Sequence, residues 1–196
     1  MNANMMRDLA IATLTTPAVA AGQLLSMRIP RAFLWMSLAL MAILNAVAYG
    51  FAIVINPPLQ GQTVFLPSPF AYAVIAGCGL FALVWAVFKV GQWMGGSGSI
   101  DDVLVLVCWM QFLRVIAQFA TTVLLMVSSA LSLLASMAIF VIGFWISLHF
   151  INEGHRLGSL GKAAGVLIGA GLVTAMGVSV LLSLVAAPFI GALGNV

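Results

Sequence analysis

The chain has 196 residues, of which 64% are hydrophobic and only 6% charged, and seven Lys and Arg against four Asp and Glu leave a net charge of +3. A soluble domain carries about a quarter charged residues, so this composition excludes one and indicates a protein built for a bilayer. The few cations are scattered and form no basic stripe, which excludes nucleic acid as a partner.

The chain opens on a segment, residues 1–31, that reads as cytoplasmic. Within it "MRDLAIATLTTPAVAAG" offers a cation, a short apolar run and an Ala18-Val19-Ala20 that mimics a signal cleavage site. Asp8 abuts the run and Thr15-Thr16-Pro17 interrupts it, so a retained segment is the better reading. A short interfacial helix is expected to start at Pro17, with Thr16 as its N-cap, and to lie near the membrane surface. Arg28 and Arg31, flanking Ile29-Pro30, suit anionic headgroups.

Residues 32–196 then read as a membrane domain with five apolar runs near the 20 residues needed to cross a bilayer. The spans fall at about 32–55, 70–89, 103–127, 130–151 and 163–190. Asn56-Pro57-Pro58 ends the first and Pro67-Ser68-Pro69 enters the second; "SSALS" at 128–132 divides a tract too long for one crossing, and Pro188 breaks the last run late. Because no segment alternates polar and apolar residues over many repeats, the fold class is all-α, a polytopic helical bundle. Cys78 and Cys108 lie inside apolar runs and read as small buried hydrophobes. Trp35, Trp93, Trp109 and Trp145 lie near span ends, as interfacial anchors do.

Between the second and third spans "GGSGSIDD", residues 95–102, has the look of a phosphate-cradling turn. A nucleotide loop of that kind needs a lysine and a preceding strand, and neither is here, so nucleotide binding is not expected. The expected role is a cytoplasmic turn, with Ser99 capping the third span and Asp101 and Asp102 favouring the positive end of its dipole.

Arg114 falls near the middle of the third span, where a charge costs about 3 kcal/mol even on lenient scales. Gln111 and Gln118 stand three residues before and four after it, and Thr121 or Thr122 extends the row, so one helical face is polar. With no acid at comparable depth, Asn45 is the expected mid-membrane partner. This cluster is expected either to anchor helix register or to line a wet cavity for an anion or a lipid headgroup. His149, Glu153 and His155 are the only residues that hint at a metal, at a spacing that matches no established zinc motif, so no metal is expected. Gly161, Gly165 and Gly169 form a small-residue row that permits close helix packing.

Three stretches carry a family resemblance: "TLTTPAVAAGQLL" before the first span, "GGSGSIDDVLVLVCWMQF" entering the third, and "HFINEGHRLGSLGKAAGVLIG" leading into the fifth. With the five spans, they make the chain resemble the Yip family (Ypt-interacting protein domain) in its bacterial form, from about residue 8 to 190. The resemblance implies a multi-pass membrane protein; eukaryotic members are associated with small GTPases and vesicle traffic.

No nucleophile with a base, no paired carboxylates and no cofactor fingerprint occur, so neither an enzyme nor a bound cofactor is expected. The leading expectation is a protein acting by association in the bilayer, with membrane lipids and other membrane proteins or itself as partners. The alternative is a small transporter, channel or lipid-handling protein built around Arg114. Five spans put Arg7, Arg28, Arg31, Lys89, Arg156 and Lys162 on one side and no cation in the opposite loops. Cations favour the cytoplasm, which places the N-terminus there and the C-terminus outside; the resemblance to the bacterial form of the family implies a bacterial inner membrane. Reporter fusions near Met1, Gly96 and Gly158 are accordingly expected to report cytoplasm, and fusions near Gln60 and Val196 the exterior; a cytoplasmic C-terminus breaks the five-span topology.

Overall fold

A computed structural model describes residues 3–57 and 68–193, with side-chain surroundings for 4–57 and 68–183. Seven helices follow one another: α1 (Ala3–Thr15), α2 (Pro17–Ser26), α3 (Arg31–Ile55), α4 (Pro69–Trp93), α5 (Ile100–Val127), α6 (Ser129–His155) and α7 (Leu160–Leu193). The described residues contain no strand, and α3 to α7 are each long and apolar enough to cross a membrane. The all-α class and the five spanning helices expected from the sequence are therefore present. The helices extend beyond the apolar runs because their polar end residues still take helical backbone, and α7 continues through Pro188.

Local signals explain where the spanning helices begin and end. At the start of α5, Ser99 Oγ accepts from Asp102 N at 3.1 Å while Asp102 Oδ2 accepts from Ser99 N at 3.0 Å. This reciprocal capping box satisfies two backbone donors, and the acids face the positive end of the helix dipole. Only Ser128 separates α5 from α6; its extended backbone breaks the tract and its hydroxyl accepts from Leu131 N. Gly95, at φ +88, terminates α4, with Gly96 N donating to Gly91 O at 2.9 Å. A left-handed residue followed by such a bond closes the last carbonyls of a helix.

The five long helices form a ring: α7 lies along α4, α4 along α3, α3 along α5, α5 along α6, and α6 returns to α7. Burial is concentrated toward the end carrying the α4–α5 and α6–α7 connections, in residues such as Val84, Leu104, Phe150 and Val166. Elsewhere α6 turns Leu134, Met137, Phe140 and Val141 outward. In water such a face would drive aggregation; against acyl chains it carries no penalty.

The N-terminal segment holds two helices where the sequence suggested one. α1 and α2 form a hairpin packed on α5 and α6, with Pro17, Ala20, Ala21 and Leu24 of α2 buried. Thr16 precedes Pro17 as expected, yet its hydroxyl makes no cap; it turns back to the Ala12 carbonyl at 3.4 Å. The Val19 N–H, which an N-cap hydroxyl could take, donates to the Thr16 backbone carbonyl at 3.0 Å, and the hydroxyl bonds back into the preceding turn. Trp109 ties the hairpin down, its indole N–H donating at 3.0 Å to Thr13 Oγ1, which itself donates to the Leu9 carbonyl at 2.7 Å. Thr13→Val leaves the indole donor buried and unpaired, so a loss of about 1–3 kcal/mol is expected in thermal unfolding in detergent. Thr16→Val, at an exposed hydroxyl, is expected to change little.

Candidate functional site

The most elaborated part of the molecule is the junction where residues 91–102 meet the end of α6. Ser97 N donates to the His155 carbonyl at 2.9 Å, and Arg156 Nη1 donates back to the Ser97 carbonyl at 3.3 Å. Arg156 adopts a left-handed backbone at the end of α6 and reaches within 3.6 Å of Asp102 Oδ2. Arg31 forks onto Asp101, Nε to Oδ1 at 2.6 Å and Nη2 to Oδ2 at 2.9 Å. Such bidentate pairing fixes both groups in one plane and so sets the start of α3 against the start of α5.

Glycines make this junction possible. A methyl group on Gly91 would overlap the His155 ring, and one on Gly98 would overlap the Gly154 carbonyl. One on Gly96 would come within 2.7 Å of His155 Cβ, and one on Gly154 within 2.7 Å of Leu106 Cδ1. Side-chain atoms do not approach that closely, so the glycine-rich stretch is matched to the end of α6.

Beside the junction, between α4, α5, α6 and α7, lies a half-open cavity of about 100 Å³. Its walls are mostly apolar, with Val87, Met110, Phe150 and Leu167 among them, and Gln111, Ser147 and His155 supply polar groups. Gln111 is 6% exposed and its Oε1 has no hydrogen-bond partner. His155 is 1% exposed; its ring faces the carbonyls of Ile151 and Phe88, but neither nitrogen makes a well-formed hydrogen bond. Ser147 Oγ donates to the Gly143 carbonyl at 2.7 Å.

The polar residues singled out in the sequence take separate positions. Arg114 is exposed on the flank of α5, has no hydrogen-bond or ion-pair partner among the described residues, and does not line the cavity. Asn45 is buried and donates to Met41 O of its own helix at 2.7 Å, with no bond to Arg114. Gln118 is half-buried, and its backbone carbonyl accepts from Thr121 and Thr122 at 3.0 and 2.9 Å. Only Gln111 of this set reaches the cavity.

His149 meets the edge of Trp145 at 5.1 Å, Glu153 is half-buried, and His155 turns into the core. Among the described residues no three of His, Cys, Asp and Glu group as metal ligands. In the fifth-span glycine row, a methyl group on Gly165 would press on Met94 and one on Gly169 would come within 3.1 Å of Val90 Cγ1, while one on Gly161 would meet Ser159 of its own connection at an ordinary contact distance. Sequence reasoning missed Ser147, the partners of Asp101 and Asp102, and the contacts of Gly91 and Gly154. The glycines were the available signal, since Gly costs a helix about 1 kcal/mol relative to Ala and needs a packing reason.

The model of the Yip1 domain matches residues 11–182, from within α1 to near the end of the described side chains of α7. The chain belongs to the Yip1 domain family. No curated protein and no solved structure matches it. As a Yip1 domain protein it is a multi-pass integral membrane protein, and the match takes in the end of α1, all of α2, the glycine junction and the cavity.

Substitution at the junction tests its tightness. Gly91→Ala is expected to lower stability by about 1–3 kcal/mol through overpacking against His155. Gly143→Ala, where the added methyl meets nothing within 4 Å, is expected to be neutral or slightly stabilising in the same thermal unfolding assay.

Proposed function

We propose that this Yip1 domain protein acts without enzymatic chemistry, by lateral association in the bilayer, as a scaffold, an assembly partner or a membrane-organising protein. The observation that carries this reading is Arg114, an exposed mid-span cation with no partner among the described residues. A guanidinium facing lipid at that depth costs about 3 kcal/mol or more, and a protein or lipid group that covers it removes the cost. Three of the chain's four acids, Asp101, Asp102 and Glu153, lie at the junction end of α5 and α6. A second copy packed in parallel therefore brings none of these three carboxylates to the depth of Arg114. The covering group comes from another membrane protein or from a lipid phosphate.

On this reading the N-terminus lies in the cytoplasm, supported by the distribution of cations among the loops, and the membrane is a bacterial inner membrane, as the resemblance of the sequence implies. A second reading, a small transporter, channel or lipid-handling protein, draws support from the mostly apolar cavity that Gln111 reaches. Arg114 stands apart from that cavity, which favours association.

Affinity purification from native membranes tests the proposal, with Arg114→Leu, Arg114→Gln and Arg114→Lys read for co-purifying proteins and lipids and for thermal stability. Arg114→Leu is expected to keep the fold and lose a co-purifying component, and Arg114→Lys to retain part of it. Identical co-purification by all three variants and the wild type overturns the assignment of Arg114.

A further inference from the structure

We propose that the cavity between α4, α5, α6 and α7 is a hydrated site in which ordered water is held between Gln111 and His155. This inference goes beyond lateral association and does not depend on it. Gln111 lies eleven residues into α5, about 16 Å along the helix axis from Ile100 at a rise of 1.5 Å per residue. Its Oε1 is an acceptor sealed from the surface with no protein donor. An amide oxygen left unpaired in an apolar interior is unfavourable, and a donor that enters the cavity removes the penalty.

The other polar groups are suited to complete the site. Ser147 uses its proton on the Gly143 carbonyl, so its oxygen keeps acceptor capacity for a second molecule. His155, at the junction end, offers one N–H and one acceptor in its neutral form; its ring faces the carbonyls of Ile151 and Phe88, and among the described residues neither nitrogen has a hydrogen-bond partner. Two acceptor carbonyls cannot satisfy the acceptor nitrogen; a water molecule, both donor and acceptor, can.

Size agrees with chemistry. One water needs about 10–15 Å³ of such volume, and the cavity offers about 100 Å³, room for a short file of molecules. A cavity lined only by Leu, Val and Phe stays dry; polar atoms to bond two or more sides of each water make one wet. Gln111, Ser147 and His155 provide those atoms along the α5 and α6 walls.

Pulsed hydroxyl-radical labelling with mass spectrometry tests the proposal on the full-length protein in phosphatidylethanolamine–phosphatidylglycerol vesicles. Radicals generated from internal water oxidise the side chains beside it, while side chains facing acyl chains are spared. Met110 lines the cavity, and Met137, 61% exposed on the outer face of α6, is the internal control. Met110 is expected to be oxidised severalfold faster than Met137, and Gln111→Leu to bring the two rates together without loss of thermal stability. Met110 oxidation as slow as that of Met137 means a dry cavity and overturns the proposal. So does fast Met110 oxidation that Gln111→Leu leaves unchanged, because Gln111 then holds no water. If Gln111→Leu does not fold, Gln111→Met, closer in shape and with no strong acceptor, serves as the same arm.

Discussion

The contact on which the rest of the bundle depends is the approach of the α6 terminus to α4 and to the glycine-rich turn. His155 lies against the bare backbone of Gly91, and the Gly154 carbonyl lies against Gly98. Because no side chain intervenes, α6 can reach α4 across the ring, and the backbone bond from Ser97 to His155 closes the seam. The charge pairs at the rim, Arg31 with Asp101 and Arg156 with Asp102, add orientation to a geometry that the glycines permit. Spread over the same junction, the left-handed Gly95 and Arg156 end α4 and α6 and hand the chain to its turns.

The bilayer supplies what the protein lacks. Burial is sparse along α6 and dense along α5, so α5 is the axis of the structure and α6 largely a lipid-facing wall. Hydroxyls are managed accordingly: those of Ser136, Ser147 and Ser183 all donate to carbonyls of their own helices. In a medium that offers no hydrogen bonds, this local pairing is the least demanding way to carry Ser and Thr. Gln111 and Arg114 have longer side chains with more polar atoms than a local carbonyl satisfies. Their placement, one in a cavity and one on the outer flank, is where the bundle leaves polar capacity for something else.

Two helices at the N-terminus, where the sequence suggested one, follow from the same economy of polar groups. "DLAIATLTT" has neither strong amphipathicity nor an obvious start signal, so α1 was not legible by itself. It forms because Leu9 and Thr13 find Trp109 and the core beside it. Helices of this length are marginal alone and take most of their stability from packing.

Composition and run length by themselves determined the class and the five long apolar helices, though not a break at Pro188, because a bilayer accepts only chains whose backbone polar groups are paired within each segment. The capping role of Ser99 and the acids was equally legible, since N-cap chemistry depends on residues three apart in the chain. Tertiary structure alone decided the fate of the polar row on α5. Gln111, Arg114 and Gln118 are spaced as one face in the sequence, yet α6 and α7 cover the first and leave the second exposed. Spacing fixes the angle of a side chain around its own helix; only the neighbouring helices decide whether that angle meets protein, a cavity or lipid.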